Sequence, residues 1–284
     1  HTRSLCDWSS DVCSSDLKEI AKLLAGEGSN ISIIARNSRK LEAARVEITA
    51  NIVNPKQKII TYSINVANRL EVENGIRQVI KEVGVPDLLI TAAGISYPGY
   101  FRKLPIEIFE ETMAVNYFGS LYCVRTVLPI MEQEKKGQIV MISSGAGLIG
   151  IYGYTPYCPS KFAIRGLAES LRGELKLYGI SVSVVYPADT NTPQLEEENK
   201  TKPLETKNIT ASSGLWDARD LAVKILQGVR KKSFVIAPGI EMTLLDKFHS
   251  LLAPIIQWYM DLIVIKTLKK GYNATGNSEV RSQK

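Results

Sequence analysis

The feature that most constrains this chain is an alternation. Short apolar runs of up to seven residues are each followed by an amphipathic stretch of ten to twenty. Ile31–Ala35, Lys58–Ile64, Asp87–Ala92, Gln138–Ser143, Ile180–Tyr186 and Phe234–Ala237 read as strands. Helical patterns fill the intervals: Leu17–Ala25, Ser38–Ala50, Leu70–Val83, two helices across about 106–134, Pro156–Tyr178 and Ala218–Arg230. Strands that are apolar without alternation are covered on both faces, and parallel pairing needs crossovers of about this length. The pattern predicts an α/β, Rossmann-like doubly wound parallel sheet that binds ligands at the carboxyl ends of its strands.

Composition removes other classes. With 284 residues, 45% hydrophobic and 23% charged, the chain reads as a soluble globular protein with an ordinary core. A net charge of +6 from 35 Lys+Arg against 29 Asp+Glu, with no run of five basic residues, gives no footprint for nucleic acid. The two histidines, His1 and His249, make a His-dependent triad or a His-rich zinc site improbable, so no metal is expected. Cys6, Cys13, Cys123 and Cys158 show no C-x-x-C and no regular spacing, which fits a reducing compartment.

Residues 1–17 read differently. They hold two near-copies of one phrase, Asp7-Trp8-Ser9-Ser10-Asp11 and Val12-Cys13-Ser14-Ser15-Asp16, and lack the basic start and apolar run of a secretory signal. The segment resembles translated sequencing-adapter sequence and is expected to be a foreign or disordered leader. A dinucleotide domain should open with a strand and a Gly-rich turn, yet the first glycine is Gly26. The first strand and its turn are therefore expected to be missing or replaced, and coenzyme binding to be weak. The expected organisation is a leader over 1–17, a catalytic domain over 18–240, an apolar helical segment over 241–270 and a disordered tail over 271–284.

The candidate chemistry lies in Tyr157-Cys158-Pro159-Ser160-Lys161, which sets a tyrosine and a lysine at i and i+4 on one helix face. Thirteen residues before Tyr157, Ser144 follows an apolar strand, at the edge where ligands bind. A lone Y-x-x-x-K would also suit a solvated helix face; the strand-ending serine at this spacing is what strengthens it. Asn116 adds a polar group within an otherwise apolar helix.

At these residues the chain resembles the short-chain dehydrogenase/reductase family, from about Lys18 to Pro238. Thr91-Ala92-Ala93-Gly94 is similar to the family's N-N/C-A-G element, and Pro187 to Thr192 to its P-G-x-x-x-T element, with Ala188 in place of glycine. The resemblance implies Ser144, Tyr157 and Lys161 as catalytic residues with Asn116 as the fourth member. It places Ala93, Gly94, Thr192, Tyr157 and Lys161 beside a nicotinamide coenzyme.

A ketone receiving hydride gains oxyanion character and needs a proton. Tyr157 would supply it, and an ammonium one turn away would favour its phenolate against an ordinary pKa of about 10. Ser144 would hydrogen-bond the carbonyl oxygen. The resemblance adds that Lys161 holds the nicotinamide ribose and that Asn116 helps position a water. The second strand ends Ile34-Ala35-Arg36-Asn37 with no acid for a ribose hydroxyl; Arg36 and Lys40 suit a 2′-phosphate, hence NADPH/NADP+. Asn65 stands where the family usually has an Asp contacting adenine.

Two longer stretches, Tyr157–Leu175 and Tyr186–Thr206, bear on substrate. The second resembles the lid segment of the family's 3-ketodihydrosphingosine reductases, which implies a long-chain amino-ketone substrate. Glu196, Glu197 and Glu198 lie where an acid would attract its ammonium, though at least two of the three suit a solvated helix face. Other lipid-like ketones (steroid, retinoid or fatty) would use the same catalytic residues, and a coenzyme-binding form without turnover is the alternative from another class.

Residues 244–265 are rich in Leu, Ile and aromatics, but the longest stretch free of Asp, Glu, Lys and Arg, Phe248–Met260, has thirteen residues. About twenty are needed to span a bilayer, so an interfacial or dimer-forming helix is expected rather than a spanning one. A bacterial cytoplasmic face and the cytosolic face of a eukaryotic ER would both fit.

Overall fold

The computed structural model describes residues 3–7, 15–190, 192–211 and 214–275. Seven parallel strands form one sheet: β1 (Arg3–Asp7), β2 (Asn30–Ala35), β3 (Ile59–Ser63), β4 (Leu88–Thr91), β5 (Gly137–Ile142), β6 (Ile180–Val185) and β7 (Val235–Ile236). Their order across the sheet is β3-β2-β1-β4-β5-β6-β7, so the winding reverses between β1 and β4. The six strands read from the sequence recur within one residue at each end.

Helices cover both faces. On one side lie α1 (Ser15–Gly26), α2 (Ser38–Thr49) and α9 (Ala218–Arg230). On the other lie α3 (Arg69–Val83), α5 (Ser120–Glu134) and α6 (Tyr157–Leu175). The buried sets follow helical spacing: Leu17, Ile20, Ala21 and Leu24 in α1, and Leu221, Ala222, Ile225, Leu226 and Val229 in α9. These pack with Ile31, Ile33 and Ile90 into one core, while Ile34, Leu89, Val124, Met141, Ile164 and Val184 join the core on the other face.

The strand expected to be missing is present. Arg3–Asp7 pairs with β2 on one side and β4 on the other, in the centre of the sheet. Arg3 is fastened further: its N–H donates to Asp87 Oδ2 at 2.9 Å, its carbonyl accepts from Asp87 N at 2.7 Å, and its Nε lies 3.3 Å from the same carboxylate. The physical reason is that a slot between two parallel strands is filled through backbone hydrogen bonds, which almost any short extended segment can make. Helix α1 likewise begins at Ser15, before the expected boundary at 18. The position of the turn between β1 and α1, where glycines were sought, lies outside the described residues.

Before α5, the chain runs through α4 (Ile106–Met113) and one π-helical turn, Ala114–Gly119. After β6 come two short helices, α7 (Pro193–Thr201) and α8 (Leu204–Thr210), in the stretch read as a polar lid. The last helix, α10 (Ile240–Thr275), is kinked at Phe248, where the backbone leaves helical geometry. It includes 271–275, which were expected to belong to a tail; residues 276–284 lie outside the described ones. By length and composition alone, Ile240–Lys269 is long and apolar enough to cross a membrane, where the sequence reading expected an interfacial or dimer-forming helix. The uncharged run is short, but Asp261 is a single interruption in an apolar stretch that continues through Leu262–Ile265.

Candidate active site

The ends of β4, β5 and β6 form the floor of a cleft. Ser143 extends β5 by one ladder bond, its N–H donating to Val185 O at 2.9 Å, and its Oγ donates to Lys161 O at 2.9 Å. That bond ties the strand end to α6. Gly147 is required here, because a Cβ would stand 2.3 Å from Ser143 Oγ and 2.9 Å from Lys161 O. Ser144 caps the short 3₁₀ turn Gly145–Gly147 by accepting from Ala146 N at 3.2 Å, and it lines the same cleft as Tyr157.

Tyr157 and Lys161 share one face of α6, with the ammonium 5.5 Å from the tyrosine ring centre. Lys161 is buried, and its Nζ donates to Ile142 O at 3.2 Å. Burial pulls its pKa down to about 8, with the charge of Glu198 opposing. Burial pushes the Tyr157 phenol upward, and the carboxylates of Glu198 and Asp189 add to this. The Ser144 hydroxyl acts in the opposite direction on the phenol. The phenol is thus pushed up, by desolvation first, where the sequence reading expected the Lys161 ammonium to favour the phenolate.

Asn116 is fully buried in the π-helical turn. Its Oδ1 accepts from Ile95 N at 2.8 Å, and its Nδ2 donates to Ile95 O at 3.0 Å and Ser160 Oγ at 2.9 Å. With both amide hydrogens used, the side chain ties the loop after β4 to α6. A π turn of this kind lets one residue turn inward without ending the helix.

The cleft brings together Gly94, Ser144, Tyr157, Lys161 and Thr192 of the expected residues. Arg36 and Asn65 stand apart at the ends of β2 and β3, joined by a bond from Ser63 Oγ to Arg36 O at 2.8 Å. Lys40 is exposed in the first turn of α2, and Ala93 is buried beside Gly94. Sequence reasoning missed Tyr154 and Asp189, both in the wall of the cleft; each lies in a loop, where no periodicity marks an inward side chain.

The lid phrase is a set of fasteners. Thr192 caps α7 by accepting from Leu195 N at 3.3 Å. Tyr154 OH donates to Glu198 Oε2 at 2.8 Å, and the buried Lys202 Nζ lies 4.0 Å from that oxygen. Tyr100 OH donates to Glu205 Oε2 at 3.0 Å, and Thr206 Oγ1 to Tyr152 O at 3.0 Å. Of the three successive glutamates, Glu196 and Glu197 are exposed and Glu198 faces inward.

The residues suit a nicotinamide coenzyme on two counts. An added Cβ at Gly94 would come within 3.4 Å of Lys161 Nζ, so the bare glycine keeps the strand end open above the lysine. The ammonium also has three donors to place, one of them on Ile142 O. A doubly wound sheet with an acid-base tyrosine, a serine hydroxyl and a buried lysine at its carboxyl edge defines an oxidoreductase working with such a coenzyme. The chain belongs to the short-chain dehydrogenase family, whose model, described as short chain dehydrogenase, matches residues 18–203.

Relatives narrow the comparison. The chain is 37% identical over 273 residues to a 3-dehydrosphinganine reductase of Danio rerio, covering 92% of this chain and 82% of the relative. It is 40% identical over 230 residues to a 3-ketodihydrosphingosine reductase of Mus musculus, covering 81% and 69%. Among solved structures, levodione reductase superposes with a TM-score of 0.70 at 21% identity, over 83% of this chain and 95% of that one, a likeness of fold.

Proposed function

We propose that this chain reduces the 3-keto group of a long-chain sphingoid base, 3-ketosphinganine, to the alcohol with NADPH. The observation that carries the reading is the lid: the phrase shared with sphingoid-base reductases is fastened directly over Ser144, Tyr157 and Lys161. Ser144 donates to the carbonyl oxygen and stabilises the charge that gathers there. Tyr157 gives its proton to that oxygen, completing the alcohol. The coenzyme, when bound, supplies the hydride. Lys161 and Thr192 hold its nicotinamide end beside Ala93 and Gly94, Asn65 faces the adenine, and Arg36 with Lys40 takes the 2′-phosphate. Asn116 acts by locking Ile95 to α6, the position from which it helps order a water beside the site.

Residues 3–240 form the catalytic unit, and α10 attaches the protein to a membrane surface, the cytosolic face of the ER in a eukaryote. The test is NADPH oxidation with 3-ketosphinganine beside a steroid, a retinoid and a fatty ketone. Turnover favouring the sphingoid ketone supports the reading. Turnover of another ketone alone replaces it with a second lipid-ketone reductase, and equal use of NADH removes the roles given to Arg36 and Lys40.

A further inference from the structure

A second hollow lies beside the catalytic cleft, between α10 and the start of α6. Ile151, Tyr154, Cys158 and Pro159 form one wall, and Met260 and Val264 the other. Gln257 and Asp261, both exposed, border it on the α10 side. These four α10 positions follow at i, i+3, i+4 and i+7, so one helix face is turned toward the body of the protein. From Ile240 to Lys269 the buried residues are Met260 and Thr267. Thr267 bonds α8, and Met260 closes this groove.

The groove holds about 380 Å³, against about 160 Å³ for the cleft. Sites that take a whole lipid- or drug-sized ligand begin near ~300 Å³. The cleft alone therefore takes the reacting end of a long-chain ketone and not its tail. The two hollows share a wall, since Ile151 and Tyr154 line both. With Ala146 and Cys158 these residues form a small apolar cluster that reaches Tyr157 and stands apart from the two cores of the sheet. Its backbone is fixed: Ile151 N–H donates to Cys158 Sγ at 3.4 Å, Tyr154 N to Ile151 O at 3.1 Å and Cys158 N to Tyr154 O at 2.9 Å. An apolar path thus leads from the proton donor to α10. The coenzyme is assigned to the side of Lys161, Gly94 and Thr192, which leaves this wall to the substrate.

We infer that the groove between α10 and α6 is the subsite for the alkyl chain of the ketone, which leaves the cleft across Ile151 and Tyr154. This rests on the proposed long-chain ketone reading and adds to it the place where the chain lies. It gives α10 two faces with two tasks, one toward lipid and one toward the chain taken from it.

The experiment measures kcat/KM for 2-amino-3-ketones of increasing chain length, each below its micelle concentration and without vesicles. The proteins compared are the unaltered chain, Gly150→Phe and Val264→Trp, which fill the groove from opposite walls. An added Cβ at Gly150 meets nothing within 4 Å, so that substitution has room. In the unaltered protein kcat/KM is expected to rise with length, by up to about fourfold per methylene. Each variant should flatten the rise, lowering the value for the longest ketone by about tenfold or more and leaving the shortest within about twofold. A rise that survives both variants overturns the inference, and so does an equal loss on short and long ketones. A length-independent value in the unaltered protein also overturns it, without needing a folded variant, and leaves the sphingoid reading standing. An unchanged profile with altered vesicle sedimentation or altered mass in solution overturns it too, and gives the groove to a membrane lipid or to a second copy. Failure to reduce a ketone of any chain length, with turnover of a steroid or retinoid, overturns the sphingoid reading and the inference together.

Discussion

At the scale of single residues, burial sets the acid-base behaviour of the site. Lys161 titrates near 8, below its ordinary value, because desolvation disfavours its charged form. It therefore carries its charge below that pH and loses it as pH rises through it. Since the charged form is the one that holds an anionic coenzyme, kcat/KM for NADPH should fall on the basic side from about pH 8. A profile flat to pH 10 would sink the assignment. Tyr157, shifted upward, stays protonated across this range and does not set that limb. Tyr157→Phe should lower kcat by about a hundredfold or more while NADPH binding, followed by fluorescence, is retained; a smaller loss would move the proton donor elsewhere. These residues were legible because their chemistry is written in helical spacing and at a strand end. Glu198 was legible as one of three glutamates, but the phase of α7 against the cleft had to be known before one could be chosen. Tyr154 and Asp189, held by loop geometry, left no such trace.

At the scale of elements, the strands and most helices followed from periodicity, whereas β1 did not. Its sequence, Arg-Ser-Leu-Cys-Asp, lacks β-branched residues, and its place comes from backbone pairing with β2 and β4. What distinguishes it is a side-chain anchor at its start. The Asp87 carboxyl is opposed by burial, yet Lys136 and the Arg3 amide and guanidinium hold it below the usual range. If β1 is seated this way, a double-mutant cycle of Arg3→Ala and Asp87→Ala should show about 1 kcal/mol of coupling in urea unfolding. Additive effects would place Arg3 elsewhere. The sign with pH follows: a depressed carboxyl contributes stability above its unfolded pKa, and this is lost as pH falls through the lower folded value. The turn after β1 is a separate matter. No glycine precedes Gly26, so replacing residues 8–14 with a Gly-rich turn should tighten NADPH binding measured calorimetrically. Unchanged affinity would show that the missing glycines do not limit it.

At the scale of the whole molecule, one helix stands outside the logic of the sheet. The candidate span in α10 is only 11% buried, and it leaves Leu244, Phe248, Leu251, Ile255, Trp258 and Ile265 exposed at steps of three, four and seven residues. From Leu251 to Ile265, beyond the kink, this spacing is that of a single helix face, with Lys266 and Lys269 at its far end. A lipid-like substrate must leave a membrane to reach the cleft, and α10 packs against α8, the second helix of the lid. Asn208 Nδ2 donates to Thr267 Oγ1 at 2.9 Å across that contact, so the helix that would meet the membrane also buttresses the lid. Replacing Leu251, Ile255 and Trp258 with glutamate would remove apolar burial worth on the order of 5 kcal/mol at a lipid surface. The triple variant should fail to sediment with anionic vesicles that carry the unaltered protein down, while its rate on a water-soluble short-chain amino ketone stays close to that of the parent. Sedimentation that persists would mean another surface makes the contact. A parent that never sediments, but whose dimer mass falls to a monomer in the variant, would instead assign the stripe to a second copy of the chain.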